Sequence, residues 1–267
     1  KFTNVKREHD RTTKWFWDQL DAAIHAGADR RSLLFNCALF RYFGTTEFFQ
    51  AIGFMEAWDE ERADFVKGVA KYRLDKKMKV FTGAYVITNQ GIKAPKQEVV
   101  VDHFLTPFWD ACLELTVIAW RTSSWEAVAK EMMKLKGFGG TGFMTKEILL
   151  DAIHTKVLGH CKDRNKWCPA GPGALRGLSR MLGHDNPDEL KLNQLAALEL
   201  MLDIFDNHKE YWPRDMVKLE LHDIQFQLCE FDKYERVRLG QGRPRNRYYP
   251  YGREKSHEGH SVSFHKS

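Results

Sequence analysis

Leu135-Lys136-Gly137-Phe138-Gly139-Gly140 lies between two segments, residues 124–136 and 144–158, whose apolar side chains recur at helical spacing. The pattern predicts a helix-hairpin-helix motif over residues 125–158. Its glycines carry no Cβ and tolerate positive φ, so a phosphate can approach the bare amide groups where the second helix begins. A short connection that merely contains glycines is the alternative interpretation. The expected DNA contacts are Lys136, Gly137, Gly139, Gly140 and Thr141.

Composition places the chain among soluble globular proteins. Of its 267 residues, 43% are hydrophobic and 29% are charged. Residues 236–267 hold eight Lys or Arg and two acidic residues, which favours a polyanionic partner. No apolar run approaches the roughly 20 residues of a membrane-spanning helix, and the N-terminus does not resemble a secretory leader. We expect a cytoplasmic protein with no membrane partner.

Helical periodicity covers most of the chain and predicts a mainly α fold. Residues 77–102 break the pattern with β-prone runs, which predict a small insertion, either a hairpin or irregular. Near Gly240, Gly, Pro, Arg and Tyr replace the aliphatic pattern, so we expect a helical domain at 1–235 and a flexible basic tail at 236–267. The predicted helices cover residues 11–26, 31–43, 59–73, 104–120, 124–136, 144–158, 188–206 (after an Asn186-Pro187 start) and 213–234.

Asp163 is the first candidate for chemistry. It follows the second hairpin helix at about the distance at which helix-hairpin-helix DNA glycosylases keep a catalytic Asp. A solvated loop at Lys162-Asp163-Arg164 is the alternative. The position where strand-cutting glycosylases place a lysine nucleophile holds Thr141, so Schiff-base chemistry from that position is not expected.

A second glycine turn precedes a segment with an arginine in its first turns. Gly171, Gly173 and Arg176 together suit a phosphate or pyrophosphate, because helix-start amides and a guanidinium fork both favour anions. The alternative to an anion site is an ordinary loop in which Gly and Pro form the turns. Neither glycine segment matches a P-loop, so ATP hydrolysis is not indicated, and no metal or other cofactor is expected.

The last predicted helix and the tail carry further candidates. His222, Gln225 and Cys229 share a face beside an apolar stripe, where they either line a pocket or belong to an ordinary helix. In the tail, Arg243 and Arg245 flank a proline, as in extended hooks that lie in narrow minor grooves.

Several segments resemble one family of DNA-modifying proteins. It comprises the helical domain associated with 5-hydroxymethyluracil DNA kinases and the phage amino acid:DNA transferases, formerly called glutamyl/putrescinyl thymine pyrophosphorylases. The family is regarded as related to helix-hairpin-helix DNA glycosylases, which agrees with the predicted hairpin. The matching segments are 1–15, Gly83-Ala84-Tyr85, Gly171-Pro172-Gly173 with Arg176-Gly177-Leu178, Cys229-Glu230-Phe231-Asp232-Lys233-Tyr234 and Gly242-Arg243-Pro244-Arg245.

The resemblance implies a reaction on double-stranded DNA in the cytoplasm of a phage-infected bacterium. Without a P-loop, the chain resembles the stand-alone transferase more closely than the kinase. The amine of a free amino acid, glycine in some phages, would displace pyrophosphate from the 5-methylene carbon of a flipped, pyrophosphorylated 5-hydroxymethyluracil. The resemblance and the motifs assign catalysis to Asp163, with Glu230 as its rival, and substrate or pyrophosphate contacts to Asn4, Arg7, Tyr85, Gly171, Gly173, Arg176, Gln225 and Lys233.

Two other functions stay open at this point. A monofunctional DNA glycosylase would release a modified pyrimidine as free base and leave an abasic site. A non-catalytic DNA-binding module of a 5-hydroxymethyluracil DNA kinase system would bind DNA and turn over no substrate.

Overall fold

The computed structural model describes residues 4–213, 216 and 218–242. These residues form helices and connecting loops with no β-strand, which confirms the predicted mainly α class. Short 3₁₀ turns lie at Arg7–His9 and His208–Glu210, and a π-helix lies at Val99–Leu105. The α-helices are α1 (Arg11–His25), α2 (Arg30–Phe43), α3 (Thr46–Ile52), α4 (Glu60–Asp75), α5 (Lys96–Glu98), α6 (Thr106–Thr122), α7 (Trp125–Met132), α8 (Phe143–Ile153), α9 (Pro172–Met181), α10 (Gln194–Asn207) and α11 (Leu221–Arg238).

Side-chain caps fix where several helices begin. Asp10 accepts a hydrogen bond from the Thr13 amide at the start of α1, and Asp29 accepts one from the Ser32 amide at the start of α2. Each cap satisfies an amide that the helix itself leaves unpaired. α2 ends at Gly44, whose φ of 67° lies in the left-handed region that favours glycine.

Helix α2 is the centre of the core. Every residue from Ser32 to Phe43 is buried, and the helix packs against α6 on one side and α8 on another. Aromatic rings fill the space around it; Phe16 of α1 stacks on Phe40 with ring centroids 3.9 Å apart. A helix buried all round places its polar side chains inside the protein, where they need partners.

Helices α9 and α11 form a second close pair beside α8. A Cβ on Gly177 would lie 2.3 Å from the carbonyl oxygen of Leu228, so this backbone contact requires glycine. The pair carries two of the motifs named above and brings them to the edge of the core.

The hairpin interpretation of the insertion at residues 77–102 is wrong. Residues 76–95 are irregular, which agrees with the alternative prediction of an irregular insertion. The β-prone Val99, Val100 and Val101 belong to the π-helix. All three valines are fully buried. A short, continuous apolar run is compatible with either a buried strand or a buried helix, so sequence periodicity could not separate them.

Several predicted helix boundaries also move. The helices on either side of the glycine turn end at Met132 and Ile153, not at residues 136 and 158, and the last helix begins at Leu221, not at residue 213. The helix predicted over 188–206 begins at Gln194, where Asn193 caps the Ala196 amide, whereas Asn186 only closes a local turn. The last helix continues to Arg238, past the predicted domain end at residue 235. Within the described residues, no helix combines the length and the apolar character needed to span a bilayer.

Candidate functional site

The glycine turn between α7 and α8 packs against the core. Gly137 has a φ of 95°, and a Cβ there would lie 2.6 Å from Cγ of Phe104 and 2.7 Å from the hydroxyl oxygen of Tyr42. The next residue, Phe138, is fully buried. Packing therefore excludes any side chain at position 137 and holds the turn in place.

The tip of this turn lies at the protein surface. Lys136 and Gly140 are exposed, and the amide groups of Gly140 and Thr141 have no hydrogen-bond acceptor among the described residues. No side chain caps the first turn of α8 at Gly142. The turn thus presents a cation and unpaired amides at the positive end of a helix, an arrangement that favours phosphate oxygens.

Asp163 lies beside the first turn of α7. Its Oδ1 accepts a hydrogen bond from the Trp125 amide at 2.9 Å, and its Oδ2 accepts from the Ser124 hydroxyl at 2.6 Å and the Glu126 amide at 3.1 Å. A carboxylate with these three donors stabilises the start of the first hairpin helix. The predicted catalytic role of Asp163 stays a prediction, and the geometry favours a structural one.

A buried charged cluster follows the glycine turn on α8. Lys146 and Glu147 are each 1% exposed. Nζ of Lys146 lies 2.9 Å from Oε1 of Glu147, and Nη2 of Arg7 lies 3.0 Å from Oε2 of the same carboxylate. Burial by itself would raise the pKa of Glu147, but Lys146, Arg7 and Arg41 outweigh it and lower the pKa to about 2. Glu147 is therefore an anion at neutral pH.

Two residues of α11 complete the surroundings of Lys146. Its Nζ donates a hydrogen bond to Oε1 of Gln225 at 2.5 Å and lies 3.6 Å from the ring centroid of Phe226. Gln225 is itself fully buried. The ammonium group is thus held by a carboxylate, an amide and an aromatic face, which together offset the loss of water.

A second buried pair lies one turn further along α8. Asp151 accepts two hydrogen bonds from the guanidinium group of Arg41, each at 2.5 Å, and one from the indole of Trp17 at 2.9 Å. This bidentate pair links α8 to α2 and α1.

Three predicted substrate residues meet the same cluster. The Tyr85 ring packs edge-on against Phe143 with centroids 5.4 Å apart, and its hydroxyl donates to the carbonyl oxygen of Arg41. A Cβ on Gly171 would lie 3.4 Å from Nε2 of Gln225, and one on Gly173 would lie 3.0 Å from Sγ of Cys229. Gly171 therefore lies against Gln225, which accepts a hydrogen bond from Lys146, whereas Tyr85 and Gly173 reach the cluster only through their neighbours Phe143 and Cys229.

A polar cleft of about 260 Å³ opens beside this cluster. His222 is 4% exposed there, and burial first, then the nearby cations Lys146 and Arg164, lower its pKa to about 3, so the imidazole is neutral at physiological pH. The cleft is lined by Arg7, Glu8, Trp17, Leu150, Ile153, His154, Arg164 and His222.

Both arginines of the cleft are held by carboxylates and keep unused donors. Arg7 donates through Nη2 to Glu147, and Arg164 donates through Nη2 to both oxygens of Glu220 at 2.6 and 2.7 Å. The Nε groups of Arg7 and Arg164 are buried without a hydrogen-bond partner. An Nε without exposed surface cannot reach a ligand in the cleft as the side chains stand. The Nη1 groups of both arginines donate to no described residue and are the donors left for an acceptor in the cleft.

Other predicted residues lie outside the cluster. Glu230 accepts from Lys233 at 2.5 Å, and Arg176 donates through Nε to the buried carboxylate of Asp232 at 2.8 Å. The Asn4 amide donates to the carbonyl oxygen of His9 at 2.8 Å. Arg243 and Arg245 lie outside the described residues.

The thiol of Cys229 lies close to the cluster but is not activated. Burial is the largest cause that raises its pKa, and Lys146 only partly opposes it. A raised pKa disfavours the thiolate, so the structure offers no support for Cys229 as a nucleophile.

Sequence reasoning missed the residues at the centre of this site. Lys146, Glu147 and Asp151 interrupt a helix that is otherwise strongly apolar, and every residue from Thr145 to Ile153 is buried. Charged residues on a helix that is apolar all round need buried partners. The sequence therefore shows that these charged residues need buried partners, but it does not show that Arg7 is one of the partners.

Comparison with known proteins identifies the family. No curated protein and no solved structure matches the chain significantly. The profile of the family described as "5-hmdU DNA kinase, helical domain" matches residues 1–243, a range that includes the hairpin, the charged cluster and the cleft. The chain therefore belongs to the 5-hmdU DNA kinase helical-domain family.

Proposed function

We propose that this chain modifies 5-hydroxymethyluracil in DNA by transferring an amino acid amine to the pyrophosphorylated base. One observation carries the proposal. Arg7 and Gln225, far apart in the sequence, contact the Lys146–Glu147 pair, and Arg7 also lines the cleft. Tyr85 packs against the neighbouring Phe143. Buried ion pairs are a poor source of stability, so a network of this kind is better explained by preorganisation of a site.

The hairpin supplies the DNA contact in this proposal. Lys136 and the free amides of Gly140 and Thr141 would bind backbone phosphates without reading the sequence. The cleft residue Leu150 follows Phe143 by seven positions on α8, which places the cleft about 10 Å along the helix axis from the turn. A nucleotide flipped from a duplex held at the turn can span that distance, because the modified carbon is accessible only outside the base stack.

The chemical step exchanges one bond for another at the 5-methylene carbon. The ammonium group of the amino acid first gives one proton to solvent or a nearby base. The freed lone pair forms the new C–N bond while the C–O bond to pyrophosphate breaks with its electron pair, and the secondary ammonium product can lose a second proton to solvent. Positive charge develops at the methylene carbon and the ring as pyrophosphate leaves. The fixed anion Glu147 contributes by holding Arg7 and Lys146 in place, which makes it a positioning residue.

The pyrophosphate contacts remain those of the sequence analysis. Gly171 and Gly173 open α9 without a side-chain cap, and the Arg176 side chain is 37% exposed with only its Nε engaged by Asp232. These features support a role in anion binding. Because the Asp163 carboxylate accepts three hydrogen bonds at the start of α7, we assign it to helix capping. Glu230 stays a predicted catalytic carboxylate.

The test uses three matched DNA duplexes that carry thymine, 5-hydroxymethyluracil or pyrophosphorylated 5-hydroxymethyluracil. Each is incubated with the protein and a panel of amino acids, digested, and analysed by nucleoside mass. We expect a heavier nucleoside and released pyrophosphate from the third duplex alone. An unchanged profile with every amino acid would refute the transferase proposal.

The same experiment separates the alternatives. Free base with an abasic site would indicate the glycosylase. Tight binding of the duplexes without any turnover would indicate a DNA-binding module of a kinase system.

A further inference from the structure

We propose that the cleft beside α8 binds the free amino acid, with its carboxylate on Arg7 and Arg164 and its ammonium group toward Glu8. The inference rests on the proposed function, because it locates the amine donor, for which no site has been assigned. The cleft is the part of the described structure in which two anchored arginines, an acid and a small cavity lie together.

The donor groups of the cleft suit a carboxylate. Arg7 and Arg164 each hold a carboxylate through Nη2 and have an Nη1 group that donates to no described residue. Their guanidinium groups are thereby fixed before a ligand arrives, which reduces the entropy lost on binding. The planar guanidinium fork of arginine binds a carboxylate with defined geometry.

The charge balance favours a zwitterion over pyrophosphate. Arg7, Arg164 and Glu8 each have a partner of opposite charge. Lys146 shares Glu147 with Arg7, and Asp223, which accepts from the Arg7 amide, balances this additional cation, so the site with these neighbours is close to neutral. A multiply charged anion would meet four carboxylates without excess cations to balance it, whereas an amino acid adds no net charge. The pairs are Arg7–Glu147, Arg164–Glu220 and Lys6–Glu8, at 3.0, 2.6 and 3.1 Å.

Size and lining also limit the ligand. The cleft volume of about 260 Å³ lies below the range of pockets for drug-sized ligands and suits a small molecule. Trp17 and His154 stack with ring centroids 4.3 Å apart, while Leu150 and Ile153 contribute apolar surface. Neutral His222 can exchange hydrogen bonds with the ligand without changing the net charge.

Binding can be measured without DNA, by titrating the full chain calorimetrically with glycine, alanine, serine and glutamate. Glycinamide lacks the carboxylate, acetate lacks the amine, and pyrophosphate tests the competing anion. We expect at least one amino acid to bind and its amide to bind at least about tenfold more weakly. Absence of binding by all four amino acids, or tighter binding of pyrophosphate that Arg164→Gln weakens, would overturn the assignment.

Two variants localise the binding. Arg164→Gln should weaken amino acid binding by at least about tenfold, while Arg62→Gln, which breaks an exposed ion pair outside the cleft, should leave it unchanged. Glu8→Gln, at a partly exposed position, should weaken binding of the amino acid but not of acetate. Wild-type affinity in both cleft variants would place the amino acid elsewhere.

These results are separable from the proposed function. Amino acid binding without transfer to any DNA would retain the cleft assignment and reject the transferase. Transfer with an unchanged KM for the amino acid in Arg164→Gln would retain the transferase and reject the cleft assignment.

Discussion

Replacing Glu147 by Gln tests whether the charged cluster on α8 is held together as the structure indicates. The substitution keeps the shape of the side chain and removes the charge that faces Lys146 at 2.9 Å and Arg7 at 3.0 Å. Lys146 is 1% exposed and would be left with the Gln225 oxygen and the Phe226 ring as its remaining close partners. An uncompensated buried cation is strongly destabilising.

Two estimates give the same order of magnitude. Lowering the pKa of Glu147 from its ordinary value of 4.5 to about 2 corresponds to about 3 kcal/mol in favour of the ionised, folded protein. Removal of one partner from a buried ion pair costs about 3–5 kcal/mol in proteins generally. We therefore expect Glu147→Gln to lower the free energy of unfolding by about 3–5 kcal/mol at neutral pH.

The effect of pH has a defined sign. The pKa of Glu147 is lower in the folded than in the unfolded protein, so its contribution is complete above pH 4.5 and is lost as the pH falls toward 2. The glutamine does not titrate. Urea unfolding of wild type and variant at pH 6 and pH 3 should therefore show a stability difference that shrinks by about 2 kcal/mol at the lower pH.

A matched control is available on α7. Glu131 forms an exposed ion pair with Lys134, so Glu131→Gln should cost less than about 1 kcal/mol and show no comparable dependence on pH. The reasoning is refuted if the difference between wild type and Glu147→Gln is the same at pH 6 and pH 3, or if it does not exceed that of Glu131→Gln.

Four further substitutions test the glycine turn and its supports. Gly137→Ala should lower the free energy of unfolding by about 1–3 kcal/mol and weaken DNA binding, because its Cβ would meet Phe104. Gly140→Ala, whose Cβ would have no atom within 4 Å, should lower it by about 1 kcal/mol. Equal losses of unfolding free energy in urea for the two variants would contradict this account. Asp163→Asn should lower the free energy of unfolding by about 1–2 kcal/mol, and the folded variant should still modify the nucleoside. If the variant folds and binds DNA normally but no longer modifies the nucleoside, Asp163 is catalytic. Tyr42→Phe should leave the unfolding free energy unchanged or slightly higher, since the buried hydroxyl has no hydrogen-bond partner, and a clear loss in thermal unfolding would reveal a partner for it.

Several features of the site followed from the sequence because they are local. The glycines around Phe138 predicted the turn between two helices, and the face shared by His222, Gln225 and Cys229 indicated a pocket as one alternative. His222 lines the cleft and Gln225 binds Lys146. Such patterns depend on spacing along one helix, which periodicity reports directly.

Other features could not be obtained in this way. Asp163 was selected by its distance along the chain, but its contacts depend on how α7 packs against the loop that carries it. The valines at 99–101 have the same apolar character in a strand as in a π-helix, and the core accommodates them as helix. Tertiary packing decided both cases, since local preference was compatible with more than one outcome.

The sequence by itself determined the mainly helical class, the glycine turn and the positions of most helices, because each depends on residues close together in the chain. The tertiary structure alone decided which charges became the site. Arg7, Glu147 and Gln225 are far apart in sequence, and only the packing of α8 against α11 and the N-terminal segment removes them from water and makes each the partner of another. A buried charge is stable only where its partner arrives from another part of the fold, and periodicity along one helix carries no information about that partner.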